Sequence, residues 1–467
     1  MKSRAYLAFD LGASSGRAVL GRFDGHRIDT TEVHRFPTPL VEDGERLFWD
    51  LEAVWDELQK GLRLARSIAP DLRSLSVASW GVDYVPLGSD MQPLRRAHCY
   101  RDPRTDGMIE YAEARIDADE FYGITGITPL SINTLCQVLA DQVHTHDLFE
   151  RTACRLLVAD YFNYRFSRCA VAEVSLASTT QLYAPKRKGW ASDAMRRLEI
   201  AEASWPDIVP SGTRLGPVIT HESVETVAGC SHDTAAAVAA VPASDDAFWG
   251  YISSGTWSLL GVELDHPIMT KAARAVGFTN EIGFGGTVRF LKNLIGLWVL
   301  QECEREWKNE GQEIDYATLL READEAPDVQ GFIDLDDRPF TLRGNMLEKI
   351  RTWCGANGVD IPRSRGATVR LILKSLAEKY RQSVRLLEGV LGRSIEVLHV
   401  VGGGSKNALL CQWTADRCGC PVVAGPAEAT ALGNLLVQVH AMDDMPPGMS
   451  IRDVVRQSCE LHRFEPR

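Results

Sequence analysis

Asp10, Gly12, Ala13, Ser14, Ser15, Gly16 and Arg17 bring together a carboxylate, a small-residue turn and a permanent positive charge. Successive backbone N–H groups in such a turn, with two hydroxyls beside them, suit phosphate oxygens, because glycine permits close approach and positive φ. Asp10 ends the apolar run before the turn, where its oxygens can take a divalent cation directly or through water. A surface β-hairpin with an incidental Asp is the other reading of the same residues.

Asp233 is the second chemical candidate. It follows His232 at the head of the small-residue run Thr234–Val238. There it can satisfy the orphan N–H groups of a helix start, or take the proton of a substrate hydroxyl as a general base. A carboxylate of ordinary pKa suffices for the latter, since a loose phosphoryl-transfer transition state needs the proton removed late. The two roles are compatible. His232 alone reads as a structural histidine.

A second turn repeats the design of the first. Phe248–Ile252 is apolar, Ser253-Ser254-Gly255-Thr256 is small and hydroxylic, and Trp257–Val262 is apolar again. The similarity is of pattern, not identity. Two such turns, each opening one half of the chain, predict a duplicated architecture with phosphates held between the halves. Later, the buried run Val397–Val401 enters Gly402, Gly403 and Gly404, with Ser405 or Asn407 able to cap a following helix. A flat ring or a phosphate can lie against such a backbone. It is not the dinucleotide fingerprint.

The elements that must position these groups follow from periodicity. Leu7–Leu11 and Ala18–Leu20 are two strands of a hairpin, and Glu32–Phe36 continues the strand signal. Trp49–Ala69 is a helix with Leu51, Val54, Leu58, Leu62 and Ala65 on one face. Leu75–Ser79 is a strand ending in Trp80-Gly81-Val82-Asp83-Tyr84, and Ala97–Tyr100 is strand-like. After it, Arg101–Thr105 either contacts a polar substrate or orders a loop through an Arg–Asp pair. Glu110–Trp190 is mostly helical, Pro217–Gly229 is loop-rich, and Pro242–Asp246 is a boundary. A helix is expected from Arg289, with Lys292 and Asn293 near its start. Ala367–Leu391 is a long helix stopped by Gly392, Pro421–Gly425 is a short strand and Thr430–Met442 is a helix.

The totals narrow the class. A chain of 467 residues suggests roughly two to four domains. With net charge −12 and no basic cluster, nucleic acid and anionic membranes are poor principal partners. Eleven cysteines without a framework of spacing predict mostly reduced, buried thiols, and Cys411, Cys418 and Cys420 lack zinc-site spacing. Met1–Arg4 precede an apolar run too short for a signal peptide, and no run has membrane-spanning length, so a soluble, cytoplasmic protein is expected.

Seven segments in one order carry a family resemblance. They are Asp10–Arg17, Trp80–Asp83, Tyr100–Asp102 with Arg104 and Thr105, Ser231–Thr234, Ser253–Leu259, Leu291–Asn293 with Gly296–Trp298, and Val400–Gly404. Together they resemble the FGGY family of carbohydrate kinases over about Tyr6–His440. The resemblance implies an α/β, two-domain actin-like, ribonuclease-H-like ATPase fold with its active site in the interdomain cleft. Residues 1–245 would hold the sugar site, the first phosphate loop and the catalytic Asp; residues 246–467 would hold the second phosphate loop and the adenosine site.

The implied reaction is ATP-dependent phosphorylation of L-rhamnulose at O1, with another ketose such as L-fuculose or a pentulose as the alternative. By the same resemblance, Asp233 is the base. Ala13, Ser14, Ser15, Gly16, Arg17 and Thr256 grip the ATP phosphates, and Gln301 and Gly403 contact the nucleotide. Gly81, His232, Asp233, Thr234 and Asn293 hold the sugar, while Asp10 orients Mg²⁺. The implied partners are the ketose and ATP, with neither nucleic acid nor membrane, in a monomer or homodimer. The chain departs from the family pattern at Leu176 and Thr414, so no disulfide of its relatives is carried over.

Overall fold

The residues around Asp10 form the expected hairpin, Arg4–Leu11 pairing antiparallel with Ser15–Phe23 so that Asp10 stands opposite Arg17. The computed structural model describes residues 3–244 and 246–467; Met1, Lys2 and Asp245, the last residue of the first half as read from the sequence, lie outside the described residues. By its contacts the chain forms two compact units. One comprises Met1–Ala240, Glu263–Phe290 and Ala429–Ser458, the other Val241–Val262, Leu291–Glu428 and Cys459–Arg467.

The first unit is built on a six-stranded sheet. Its order is Thr213–Val218, His221–Ala228, Leu72–Ser79, Arg4–Leu11, Ser15–Phe23 and Ile28–Pro37. Arg4–Leu11 runs parallel to Leu72–Ser79, a pairing that requires a crossover. The helix Leu51–Ile68 supplies it. Asp50 caps that helix by accepting from Ala53 N, and its buried side chains include the expected Leu51, Val54, Leu58, Leu62 and Ala65. Each such large apolar side chain contributes roughly 1.5–3 kcal/mol by leaving water.

Three expectations need correcting in this unit. Pro217–Gly229 is not a loop: Thr213–Val218 and His221–Ala228 form an antiparallel hairpin. Its Pro217 lies on the edge strand, where a missing N–H costs no ladder bond. Ala97–Tyr100 makes only an isolated bridge, His98 to Phe48. The first turn does not use left-handed backbone, since neither Gly12 nor Gly16 has positive φ. Gly16 is needed for space, because a Cβ there would stand 2.3 Å from the Phe36 ring.

The second unit takes Leu291–Ile295 of the strand Val288–Ile295 and Trp257–Val262 of the strand Trp257–Leu264, followed in the sheet by Trp249–Ser254, Val397–Val401, Val422–Ala424 and His462–Phe464. Trp249–Ser254 pairs antiparallel with Trp257–Leu264 and parallel with Val397–Val401. This repeats the pairing of the opening hairpin with Leu72–Ser79. The long helix runs Arg365–Leu391, begun by Ser364 accepting from Ala367 N and ended by left-handed Gly392. The expected helix at Arg289 is a strand instead, Val288–Ile295, so Lys292 and Asn293 are strand residues; the helix begins at Trp298. Short apolar runs fit either element, and pairing beside the second hairpin decides this one.

None of the eleven cysteines is joined in a disulfide, and eight of them are buried. No helix among the described residues is long and apolar enough to cross a membrane.

The helices Asp233–Ala239 and Ala429–Ala441 pack backbone to backbone in the first unit. A Cβ on Gly433 would sit 1.8 Å from Ala236 O. Helix propensity favours Ala over Gly by about 1 kcal/mol, yet here the methyl must force the helices apart. Gly433→Ala is therefore expected to lower stability by about 1–3 kcal/mol, read as a fall in the urea midpoint. A variant as stable as wild type would show that the contact yields.

Candidate active site

Strand register brings the candidates of the first unit together. Leu11 is paired with Ser79, and Ser79 is bridged in parallel to His232, with Ser79 N donating to Ser231 O at 2.9 Å. Asp10–Gly12, Trp80–Asp83 and His232–Thr234 thus gather where adjacent parallel strands end, the edge at which α/β sheets bind ligands.

At the first turn, Arg17 Nη2 donates to Asp10 Oδ2 at 2.5 Å across the hairpin, and Asp10 is 9% exposed. Gly12 N donates to Ser15 O at 3.0 Å, and Thr38 closes the turn from outside through its Oγ1 on Gly12 O and its N on Ser14 O. The turn is built and held. Arg17 and Asp10, read separately from the sequence as phosphate and metal groups, are one ion pair.

Trp80–Asp83 is held from below by a buried carboxylate. Asp83 Oδ2 accepts from Trp49 Nε1 (2.6 Å), Trp80 Nε1 (2.9 Å) and Tyr100 N (3.1 Å), and Oδ1 accepts from Gln137 Nε2 (2.7 Å). The Trp49 and Trp80 rings lie 4.4 Å apart. Between Gly81 and Asp83 stands Val82 with φ +71, an outlier for a β-branched residue. Val82 O accepts from Thr134 Oγ1 at 2.6 Å. A Cβ on Gly81 would stand 3.0 Å from Thr179 Oγ1, so this glycine lies against the Ser178–Thr180 turn. In the Arg101–Thr105 segment the loop-ordering reading describes what is seen. Asp102 accepts from Leu47 N (2.7 Å) and Arg104 N (2.9 Å), and buried Arg104 donates to Asp141.

Asp233 opens the helix Asp233–Ala239 and keeps its side chain 31% exposed. Its Oδ1 accepts from Thr234 N (2.5 Å) and Thr234 Oγ1 (3.1 Å), and His232 Nε2 lies 3.4 Å away. No described residue is bonded to Oδ2. The segment before it is pinned by Glu173, which is fully buried. Glu173 Oε2 accepts from Ser175 Oγ, Leu176 N and Ser231 N, and Oε1 accepts from Ser211 Oγ. Ser175 Oγ in turn accepts from His232 N at 3.2 Å. Burial raises Glu173 against these donors, and burial followed by the neighbouring Glu173 charge holds Asp160 well above the usual carboxylate range.

In the second unit, Thr256 Oγ1 donates to Gln301 Oε1 at 3.0 Å, joining two of the expected nucleotide contacts. The turn is clamped by the chain after Val288–Ile295: Leu297 N donates to Gly255 O at 2.9 Å and Gly296 N to Thr256 O at 3.1 Å. Gly296 has no room for a side chain, its Cβ falling 2.6 Å from Gly255 O. Tyr380, from the long helix, places its hydroxyl 2.7 Å from Ser258 Oγ and 3.4 Å from Ser254 Oγ. Gly402 (φ +82) and Gly404 pack on Ser254, whereas Gly403 between them is exposed, with nothing within 4 Å of where a Cβ would stand. Asn293 is half-buried on its strand.

Several of these residues carried no signal in the sequence. Glu173, Ser211 and Tyr380 act through tertiary contacts with segments far along the chain.

The chain matches the N-terminal domain of the FGGY family of carbohydrate kinases over residues 5–240 and its C-terminal domain over residues 250–442. It is 37% identical to the rhamnulokinase of Bacteroides thetaiotaomicron over 99% of this chain and 96% of that protein. It is 38% identical to the rhamnulokinase of Pectobacterium carotovorum subsp. carotovorum over 100% and 94%. Among solved structures, gluconate kinase from Lactobacillus acidophilus superposes with TM-score 0.80 at 15% identity, covering 100% of this chain and 94% of that one. Plasmodium falciparum glycerol kinase with ADP gives 0.79 at 14%, covering 100% and 94%. Likenesses at such identity speak to the two-domain α/β fold alone.

Burial pushes the Asp83 carboxyl up to about 6, its N–H donors opposing the rise. A carboxyl raised in this way favours the fold most below its ordinary value, and that contribution is lost as pH rises through about 6. Measured against Asp83→Asn by urea unfolding, wild type should therefore gain stability between pH 7 and pH 4, by about 2–3 kcal/mol. A difference that stays constant over that window would show that Asp83 does not titrate there.

Proposed function

Because the chain belongs to the FGGY family of carbohydrate kinases, we propose that it transfers the γ-phosphoryl group of ATP to O1 of L-rhamnulose, giving L-rhamnulose 1-phosphate and ADP. The observation that carries this reading is the 34–38% identity to rhamnulokinases from several bacteria along nearly the whole chain. A chain with eleven cysteines and no disulfide among them suits the reducing cytoplasm in which such a kinase would work.

In this reading Asp233 is the base. Thr234 occupies Oδ1, so Oδ2 takes the proton of the sugar's O1 hydroxyl as that oxygen bonds to phosphorus and the ADP oxygen departs. Gly81, His232, Thr234 and Asn293 hold the ketose. Ala13–Arg17 and Thr256 present backbone N–H groups, hydroxyls and the Arg17 charge to the phosphates, and Gln301 and Gly403 contact the nucleotide. Exposed Gly403, without a side chain, leaves room for a flat group against the backbone. The boundary near residue 245 separates a half that supplies the base and the sugar contacts Gly81, His232 and Thr234 from a half that supplies Asn293 and the adenosine site.

Mg²⁺ keeps several waters and is held through one or two carboxylates and the substrate's phosphates. A single acid beside the first turn therefore fits it, and no group of three or more His, Cys, Asp or Glu among the described residues offers an all-protein cage. Asp10 would hold the ion, which would neutralise charge on the phosphoryl oxygens. The protein's own contribution is positioning and electrostatics, the usual division for phosphoryl transfer.

A coupled ADP-release assay over L-rhamnulose, L-fuculose and several pentuloses tests the substrate. The highest kcat/KM is expected for L-rhamnulose; a clear preference for another ketose would replace it. Asp233→Asn should fold and bind ATP yet lose roughly 10²–10⁴-fold in kcat. Wild-type turnover in that variant would take Asp233 out of the reaction.

A further inference from the structure

One buried charge has no part in the mechanism above. Arg289 is 0% exposed. Its Nη2 stands 3.1 Å from His232 Nδ1 and 3.0 Å from Glu281 Oε2, and its Nε and Nη2 each lie 3.3 Å from Ile282 O. Glu281 is itself buried; burial alone would raise its carboxyl, but the facing Arg289 charge counters that and it lies below the ordinary value. The pair is thus a charged, mutually neutralising anchor beside Nδ1 of the imidazole ring. Glu281, Arg289 and His232 all belong to the first unit.

A guanidinium has donors only and does not give up its proton. Facing Arg289, His232 Nδ1 serves as the acceptor, which leaves the ring proton on Nε2. That nitrogen is the one 3.4 Å from Asp233 Oδ1. Glu281 Oε2 also lies 3.3 Å from Nδ1, so without Arg289 the carboxylate would draw the proton to Nδ1 and turn a bare Nε2 lone pair toward Asp233.

We propose that Arg289, braced by Glu281, is a positioning residue that holds His232 as its Nε2–H tautomer and aims that proton at Asp233 Oδ1. Oδ1 then faces donors from His232 and Thr234, and Oδ2 is left to receive the substrate's proton. The inference rests on the reading of Asp233 as the base.

The test uses the full chain labelled with ¹⁵N-histidine. Two-bond ¹H–¹⁵N correlations, assigned by comparison with His232→Gln, report which ring nitrogen carries the proton. Wild type should show Nδ1 unprotonated and Nε2 protonated. Arg289→Met should move the proton to Nδ1 and lower kcat about ten- to a hundredfold at little change in KM for ATP, the scale expected when the partner orienting a functional histidine is removed. Arg289→Lys, which keeps a cationic donor, should restore part of both. A proton on Nδ1 in wild type overturns the proposal, and this holds even if Arg289→Met does not fold. So does an Arg289→Met variant that keeps both the wild-type spectrum and kcat. Full turnover by Asp233→Asn, with the wild-type tautomer as expected, would instead remove the base reading on which the proposal stands.

Discussion

In the first unit the site depends on the register of neighbouring strand ends, Leu11 beside Ser79 and Ser79 beside His232. A slip of one residue would turn alternate side chains to the other face of the sheet. Asp10 would then leave its partner Arg17, and the chain into Asp233 would lose its alignment with the Trp80–Asp83 loop. The apolar content of the strands enforces the register. Ala5 to Phe9, and Leu11 after them, are wholly buried, and Gly61 on the crossover helix approaches Phe9 and Ala18 too closely to admit a side chain.

On this frame, buried polar networks do the fine positioning. Glu173 binds the backbone of Ser231, and through Ser175 that of His232; Asp83 binds two indoles, an amide side chain and a backbone N–H under the strained Val82. A carboxylate sealed from water is costly unless every lone pair is used. Both acids are well supplied with donors, and removing one donor would leave the rest of the network with an unsatisfied charge. Such groups are poor sources of net stability but strong constraints on geometry. That is what a loop next to a reacting hydroxyl requires.

The second unit reaches a similar end by other means. Its turn is clamped by main-chain bonds from Gly296 and Leu297 and by the Tyr380 hydroxyl rather than by a buried acid. Gly296 and Gly404 are spaces rather than flexible joints, since a methyl on either would strike Gly255 or Ser254. The same holds for Gly16 against Phe36. The sequence suggests freedom of backbone at such glycines, whereas packing gives them a different reason.

Much of the frame is legible in the residues themselves. Local chemistry determines the two hairpin turns, the capped helix after Asp50, the long helix from Ser364 to Gly392, and Asp233 at a helix start, because each depends on neighbours a few residues apart. Patterns a few residues long do not separate a buried strand from a short helix, so Val288–Ile295 and the Thr213–Ala228 hairpin took their form from the sheets they join. Tertiary structure alone decided that Arg17 pairs with Asp10, that Glu173 reaches Ser231, and that Arg289 meets His232 across 57 residues of chain. The physical reason is that a buried charge is placed by whichever distant partner can neutralise it, and no local spacing encodes that partner.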